Sequence, residues 1–153
     1  MYPVLISIGS FTLYTYGLFV AIGLLSAMSL SKYLGKKEGI VPEQVADLYF
    51  VILLSAIIGA RGLYVFISFD SYKDNPVDIF KIWEGGLVFF GGFIVAVIAV
   101  LIYIRHRKMQ LWKTADIIAP GIALGHAVGR MGCFFAGCCH GRECDLRFAI
   151  VFT

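Results

Sequence analysis

The chain has 153 residues, is 59% hydrophobic, has only 15% charged residues and carries a net charge of +3. Ordinary soluble domains hold about 25% charged residues, so this composition and a mean hydropathy of +0.85 exclude a typical soluble fold and indicate a membrane protein. No basic stripe extends beyond short loops, which excludes nucleic acid as a partner.

Residues 1–13 contain alternating apolar residues, Val4, Ile6 and Ile8, with Pro3 and Gly9, which predicts an interfacial segment or a short strand. The first 31 residues carry no charge, and neither the basic n-region nor the small-residue cleavage site of a signal peptide is visible, so the first apolar run reads as a retained helix. The fold class expected is all-α: a polytopic helical membrane protein with about four transmembrane helices in one membrane domain, 1–153. A spanning helix needs roughly 20 apolar residues, and four such runs lie at about 14–31, 46–69, 87–104 and 116–136. Lys32, Lys36 and Lys37 close the first, Pro42-Glu43 opens the second, and Arg105-His106-Arg107-Lys108 closes the third.

Orientation follows from the cations. Lys32, Lys36, Lys37, Arg105, Arg107, Lys108 and Lys113 lie after spans one and three; Lys73, Lys81, Arg142 and Arg147 lie on the other side. The positive-inside rule puts the first group in the cytoplasm and the N-terminus outside. Arg61 and Arg130 then fall within spans two and four, each about two-thirds of the way outward. Charge inside a bilayer is costly and marks a functional site. Two arginines at matching depth predict a shared anionic ligand.

The densest motif is Gly129-Arg130-Met131-Gly132-Cys133-Phe134-Phe135-Ala136-Gly137-Cys138-Cys139-His140-Gly141. On a helix, His126, Arg130 and Cys133 stand at i, i+4 and i+7 on one face. Gly121, Gly125 and Gly129 form a second stripe suited to close helix approach. The glycines after Arg130 predict that the helix breaks up there, around an anion-binding cavity. All four cysteines, Cys133, Cys138, Cys139 and Cys144, lie in one short window, a pattern open to metal, disulfide or simple packing.

This motif resembles the signature of the prolipoprotein diacylglyceryl transferases, on Gly129, Arg130, Gly132, Phe134, Gly137 and Gly141. Further stretches match in order: Ile8-Gly9 with Tyr16-Gly17, Gly59-Ala60-Arg61 with Tyr64, Asn75-Pro76 with Ile82-Trp83-Glu84-Gly85-Gly86, and Asp116-Ile117-Ile118-Ala119-Pro120. Cys133 stands where the family commonly has Asn, Cys138 where it has an acidic residue, and Phe90 where it has a histidine before Gly91-Gly92. The resemblance implies a bacterial inner-membrane enzyme whose site faces the outer leaflet. It would move diacylglyceryl from phosphatidylglycerol to the lipobox cysteine thiol of a prolipoprotein, with no metal or other cofactor. It also implies a longer protein, of which this chain is the N-terminal part.

Within that reading Arg130 is the phosphate clamp, Arg61 a second cation, and Tyr16 a hydrogen-bonding partner for phosphate or glycerol. His126 or His140 supplies the base, and Gly129, Gly132 and Cys133 help to line the substrate site. Two other readings stand beside it: a non-catalytic lipid- or anion-binding membrane protein or transporter half, and a membrane thiol or metal protein built on Cys133–Cys144.

Overall fold

The computed structural model describes residues 4–8, 11–72, 76–81 and 85–137. Strands β1 (Val4–Ile8) and β2 (Phe11–Tyr14) form an antiparallel hairpin, pairing Ile6 with Leu13 and Ile8 with Phe11 and carrying a bulge between Val4 and Ile6. This is the stretch predicted to be interfacial or a strand, and it runs directly into helix α1 (Thr15–Lys37). Then come α2 (Pro42–Ile67), two single 3₁₀ turns (Phe69–Tyr72 and Pro76–Phe80), α3 (Phe89–His106) and α4 (Leu111–Ala136).

All four helices are long and apolar enough to cross a membrane. They begin and end beyond the apolar runs at several points: α1 continues through Lys37 and α4 starts at Leu111 rather than near residue 116. Hydropathy marks the part of a helix that lipid tolerates, whereas backbone hydrogen bonding carries the helix on into the polar loop until a cap stops it. Pro42 opens α2 as expected, in the first turn where its missing N–H is harmless.

The caps are informative at two ends. Beyond α1, Ile40 N–H donates to Gly35 O (2.8 Å) and Gly39 N–H to Lys36 O (3.4 Å), with Gly39 at φ +76°. Beyond α3, Met109 N–H donates to Ile104 O (2.9 Å) and Lys108 N–H to Arg105 O (3.3 Å), with Lys108 at φ +54°. Both are Schellman turns, which satisfy the last carbonyls through one left-handed residue. Glycine fills that place after α1 and lysine after α3.

The chain divides into two compact units, one of residues 1–34 with 116–153 and one of residues 35–115. In the first, α1 packs on α4. A Cβ built on Gly23 would stand 2.9 Å from Gly125 O, and one on Gly125 would stand 3.2 Å from Ala27 Cβ. Phe19 stacks on Phe135 at 5.2 Å between ring centres. In the second unit, α2 packs on α3 through Gly59, Gly91 and Gly92; a Cβ on Gly92 would come 2.7 Å from Ala56 O. Side chains are thus absent where backbones touch, the usual device for holding helices together in lipid. Few side chains are fully buried; Val45 and Leu48 are, whereas Phe66 and Phe89 are 80% and 75% exposed. An apolar exterior of this kind is at home in hydrocarbon.

Candidate functional site

Helix α4 does not break after Arg130. It runs unbroken through Met131 and Gly132 to Ala136, and Gly137, at φ +71°, ends it. The expected breakage fails because an isolated glycine costs a helix only about 1 kcal/mol, less than leaving membrane-depth backbone groups without partners.

The unbroken helix sorts the motif onto faces. Gly125 and Gly132 are seven residues apart, which returns to within about 20° on an α-helix. Both face α1: a Cβ on Gly132 would meet Phe19 Cβ at 2.7 Å and Tyr16 Cδ2 at 3.6 Å. Gly129 has open space around its Cα. Gly125 and Gly132 thus meet α1 at a seven-residue spacing; of the expected stripe at spacing four, Gly121 is buried and Gly125 packs closely, whereas Gly129 does not. His126, Arg130 and Cys133 lie about 100–160° around the helix from Gly132. The expected common face is present and points away from the α1 contact. His126 and Arg130 are exposed, and Cys133 is half-buried and retains its thiol. Among the described residues Arg130 has no hydrogen bond or ion pair.

Tyr16 is in the first turn of α1, 48% exposed, with its ring beside Gly132. The fold thus brings the Tyr16 end of α1 to the signature end of α4. Phe19 and Phe135 hold that junction; Phe135 lies inside the signature stretch without a role assigned to it there, and for Phe19 the available signal was an aromatic three residues after Tyr16 on the same helical face.

Arg61 has a different environment. It is buried, 8% exposed, and its guanidinium donates to four backbone carbonyls. Nε reaches Ile79 O at 2.9 Å, Nη2 reaches Asp78 O at 2.7 Å, and Nη1 reaches Gly85 O at 2.7 Å and Gly86 O at 3.2 Å. The rings of Tyr64 and Tyr72 each lie 5.6 Å from its central carbon. Gly85 and Gly86 both have positive φ, +89° and +74°, and a Cβ on Gly86 would stand 2.7 Å from Arg61 Nη1. Four of five N–H groups hold the α2–α3 loop, so the geometry is that of a loop anchor. These loop carbonyls were not foreseen; the Gly-Gly pair was their one trace in the sequence. Phe90, at the family's histidine position, is exposed at the start of α3 and packs edge-to-face on Phe89 at 5.8 Å.

His140, Cys138, Cys139 and Cys144 lie outside the described residues, so the second candidate base and most of the cysteine window have no structural account.

Four helices long and apolar enough to cross a membrane, with glycine-mediated packing between them, define a polytopic helical membrane protein. The sequence model of the prolipoprotein diacylglyceryl transferases matches residues 3–153. The chain belongs to that family. It is 38% identical over 144 residues to a phosphatidylglycerol–prolipoprotein diacylglyceryl transferase of Trichormus variabilis, covering 94% of this chain and 51% of the relative. It is 38% identical over 152 residues to one of Clostridium botulinum (99% and 60%) and 33% identical over 153 to one of Clostridium tetani (100% and 61%). The chain therefore spans about half to three-fifths of the length of these relatives.

Proposed function

We propose that this chain carries the phosphate-binding part of a phosphatidylglycerol–prolipoprotein diacylglyceryl transferase. The reaction is displacement at carbon. The lipobox thiolate attacks the terminal glycerol carbon of the diacylglyceryl group, a C–S bond forms, and the C–O bond to phosphate breaks. Glycerol phosphate leaves with the electron pair, and the thiol proton passes to a base.

One observation supports this most: Arg130, in the family signature near the end of an apolar helix, has an exposed guanidinium with no partner among the described residues. An intramembrane cation needs a counter-anion, and a guanidinium binds a phosphate in a two-pronged way that strengthens as charge grows on the leaving oxygens. His126 shares that face one turn earlier and is our candidate to accept the thiol proton; His140 is the alternative. Tyr16, held beside Gly132, stands on the α1 side of α4 and not on the Arg130 face, so in this reading it is a candidate for a contact to the glycerol and not a partner in the Arg130 clamp. Gly129, with open space at its Cα, and Cys133 line the same stretch. Arg61 in this reading acts by holding the α2–α3 loop. The charge count favours an inner-membrane protein with its N-terminus outside and Arg130 toward the outer leaflet.

The test is transfer from labelled phosphatidylglycerol to a lipobox peptide, in membranes bearing the full natural chain that contains these residues. Wild type transfers label and Arg130→Ala loses at least a hundredfold in rate while inserting normally. Absence of transfer by the folded wild type, or full activity of Arg130→Ala, overturns the reading. If His126→Gln remains fully active, the base is not His126.

A further inference from the structure

A second basic site lies at the α3–α4 loop, where neither the family signature nor any candidate residue above falls. The two Schellman turns and the first turn of α4 enclose a pocket of about 260 Å³, lined by Gly39, Arg107, Lys108, Gln110, Lys113 and Glu38 among others. Its walls carry three cations and one carboxylate. Asp47 engages Arg107 at 3.1 Å and Glu38 lies 3.8 Å from Lys113, while Lys108 has no ion pair among the described residues.

Lys108 also stands where a lysine is unfavourable. Its φ of +54° is left-handed, and the equivalent place after α1 holds Gly39. Left-handed backbone is disfavoured for a residue with a Cβ, which crowds the following carbonyl oxygen. An ammonium kept at that cost beside a basic pocket points to a ligand for it.

A wider apolar groove of about 430 Å³ adjoins the pocket, lined by Leu101, Ile102, Ile104, Arg105, Met109 and Leu111. Met109 lines both. The groove follows α3 back into its apolar span, and the basic pocket sits beyond the end of that span. Trp112 beside it is 80% exposed, and exposed tryptophan of this kind settles at headgroup level. Cations at headgroup level above an apolar channel match one ligand chemistry, a phosphate on a pair of acyl chains.

We propose that the α3–α4 loop binds an anionic glycerophospholipid, its phosphate on Lys108 with Arg107 and Lys113, and an acyl chain along Leu101–Ile104. Basic pockets between transmembrane helices hold lipid headgroups in this way. The inference does not rest on transferase activity, and its site lies at the opposite terminus of α4 from Arg130.

The test uses the full natural chain in nanodiscs and reads the part of the tryptophan emission that Trp112→Phe removes. Brominated phosphatidylglycerol and brominated phosphatidylcholine are compared as quenchers at equal mole fraction. The anionic lipid should be preferred about fivefold, the contribution of the one cation here without an ion pair among the described residues, the preference should shrink in high salt, and inorganic phosphate should not displace it. Lys108→Gly and Lys113→Gln together should bring the ratio close to one. Lys108→Gly alone should lower the ratio without lowering the melting temperature, because glycine suits the left-handed turn. That separates a ligand role from a structural one. Equal quenching by the two lipids in wild type overturns the proposal. So does a preference unchanged by the two substitutions, displacement by inorganic phosphate, or a Trp112 that neither lipid reaches because further protein covers the groove.

Discussion

Arg61 and Arg130 were expected to play similar parts, as two cations at similar depth on two apolar helices. The structure separates them. Arg61 is buried with its donors on Asp78, Ile79, Gly85 and Gly86 carbonyls, whereas Arg130 is exposed with no such partners among the described residues. A guanidinium fork reaches several carbonyls at once, and an ammonium does not. Arg61→Lys should therefore loosen the α2–α3 loop by on the order of 2 kcal/mol. Hydrogen exchange checks this: the Val88 amide, which donates to Ala60 O at 3.0 Å, should exchange at least tenfold faster, while amides inside α3 stay protected. At Arg130 the same change keeps the charge and loses the two-pronged contact, so Arg130→Lys should retain a tenth to a hundredth of wild-type transfer, about 1.4–2.7 kcal/mol in the barrier. The sequence made both arginines conspicuous, but which one is occupied depends on carbonyls 17 to 25 residues downstream of Arg61.

Among the elements, the glycines decide the helix pairs. Gly91 faces Gly59 O and Leu63 Cβ, so Gly91→Ala forces backbone apart and should lower stability by about 1–3 kcal/mol, read as a fall in melting temperature. Gly62 meets nothing within 4 Å, so Gly62→Ala should be neutral or slightly stabilising, alanine being the better helix former. A drop at Gly62 equal to that at Gly91 would defeat the packing account. The family resemblance singled out Gly129 and Gly132 alike, yet the two differ in kind. Gly132 is needed for the approach of Phe19, and Gly129 has space for a side chain. Spacing alone could not tell them apart, because which stripe faces a neighbour depends on the crossing angle of α1 and α4.

For the whole molecule, stability rests on lipid as solvent more than on a packed interior, since most large apolar side chains are exposed on all four helices. Surface ion pairs at the loops contribute little. Asp47 and Arg107 are about half exposed, so Asp47→Asn should change stability by less than about 1 kcal/mol in a melting experiment. Topology is a stronger prediction: with native cysteines replaced, a single cysteine at Glu38 or Gln110 should label only from the cytoplasmic side and one at Val77 only from outside. The reverse pattern would overturn the orientation drawn from the cations.

What the sequence determined by itself is the number, type and approximate place of the four spans, the candidate face His126–Arg130–Cys133, and the family. These are local properties. In hydrocarbon a backbone must satisfy its own hydrogen bonds, so an apolar run of sufficient length becomes a helix whatever its neighbours do, and the helix period then fixes which residues share a face. What only the tertiary structure decided is the non-local part. It settled that α4 continues past Gly132, that Gly125 and Gly132 rather than Gly129 meet α1, that Tyr16 stands beside Gly132, and that Arg61 holds the α2–α3 loop. Each of these depends on which backbone comes within a few ångströms of which side chain, and that is set by packing between segments far apart in the chain.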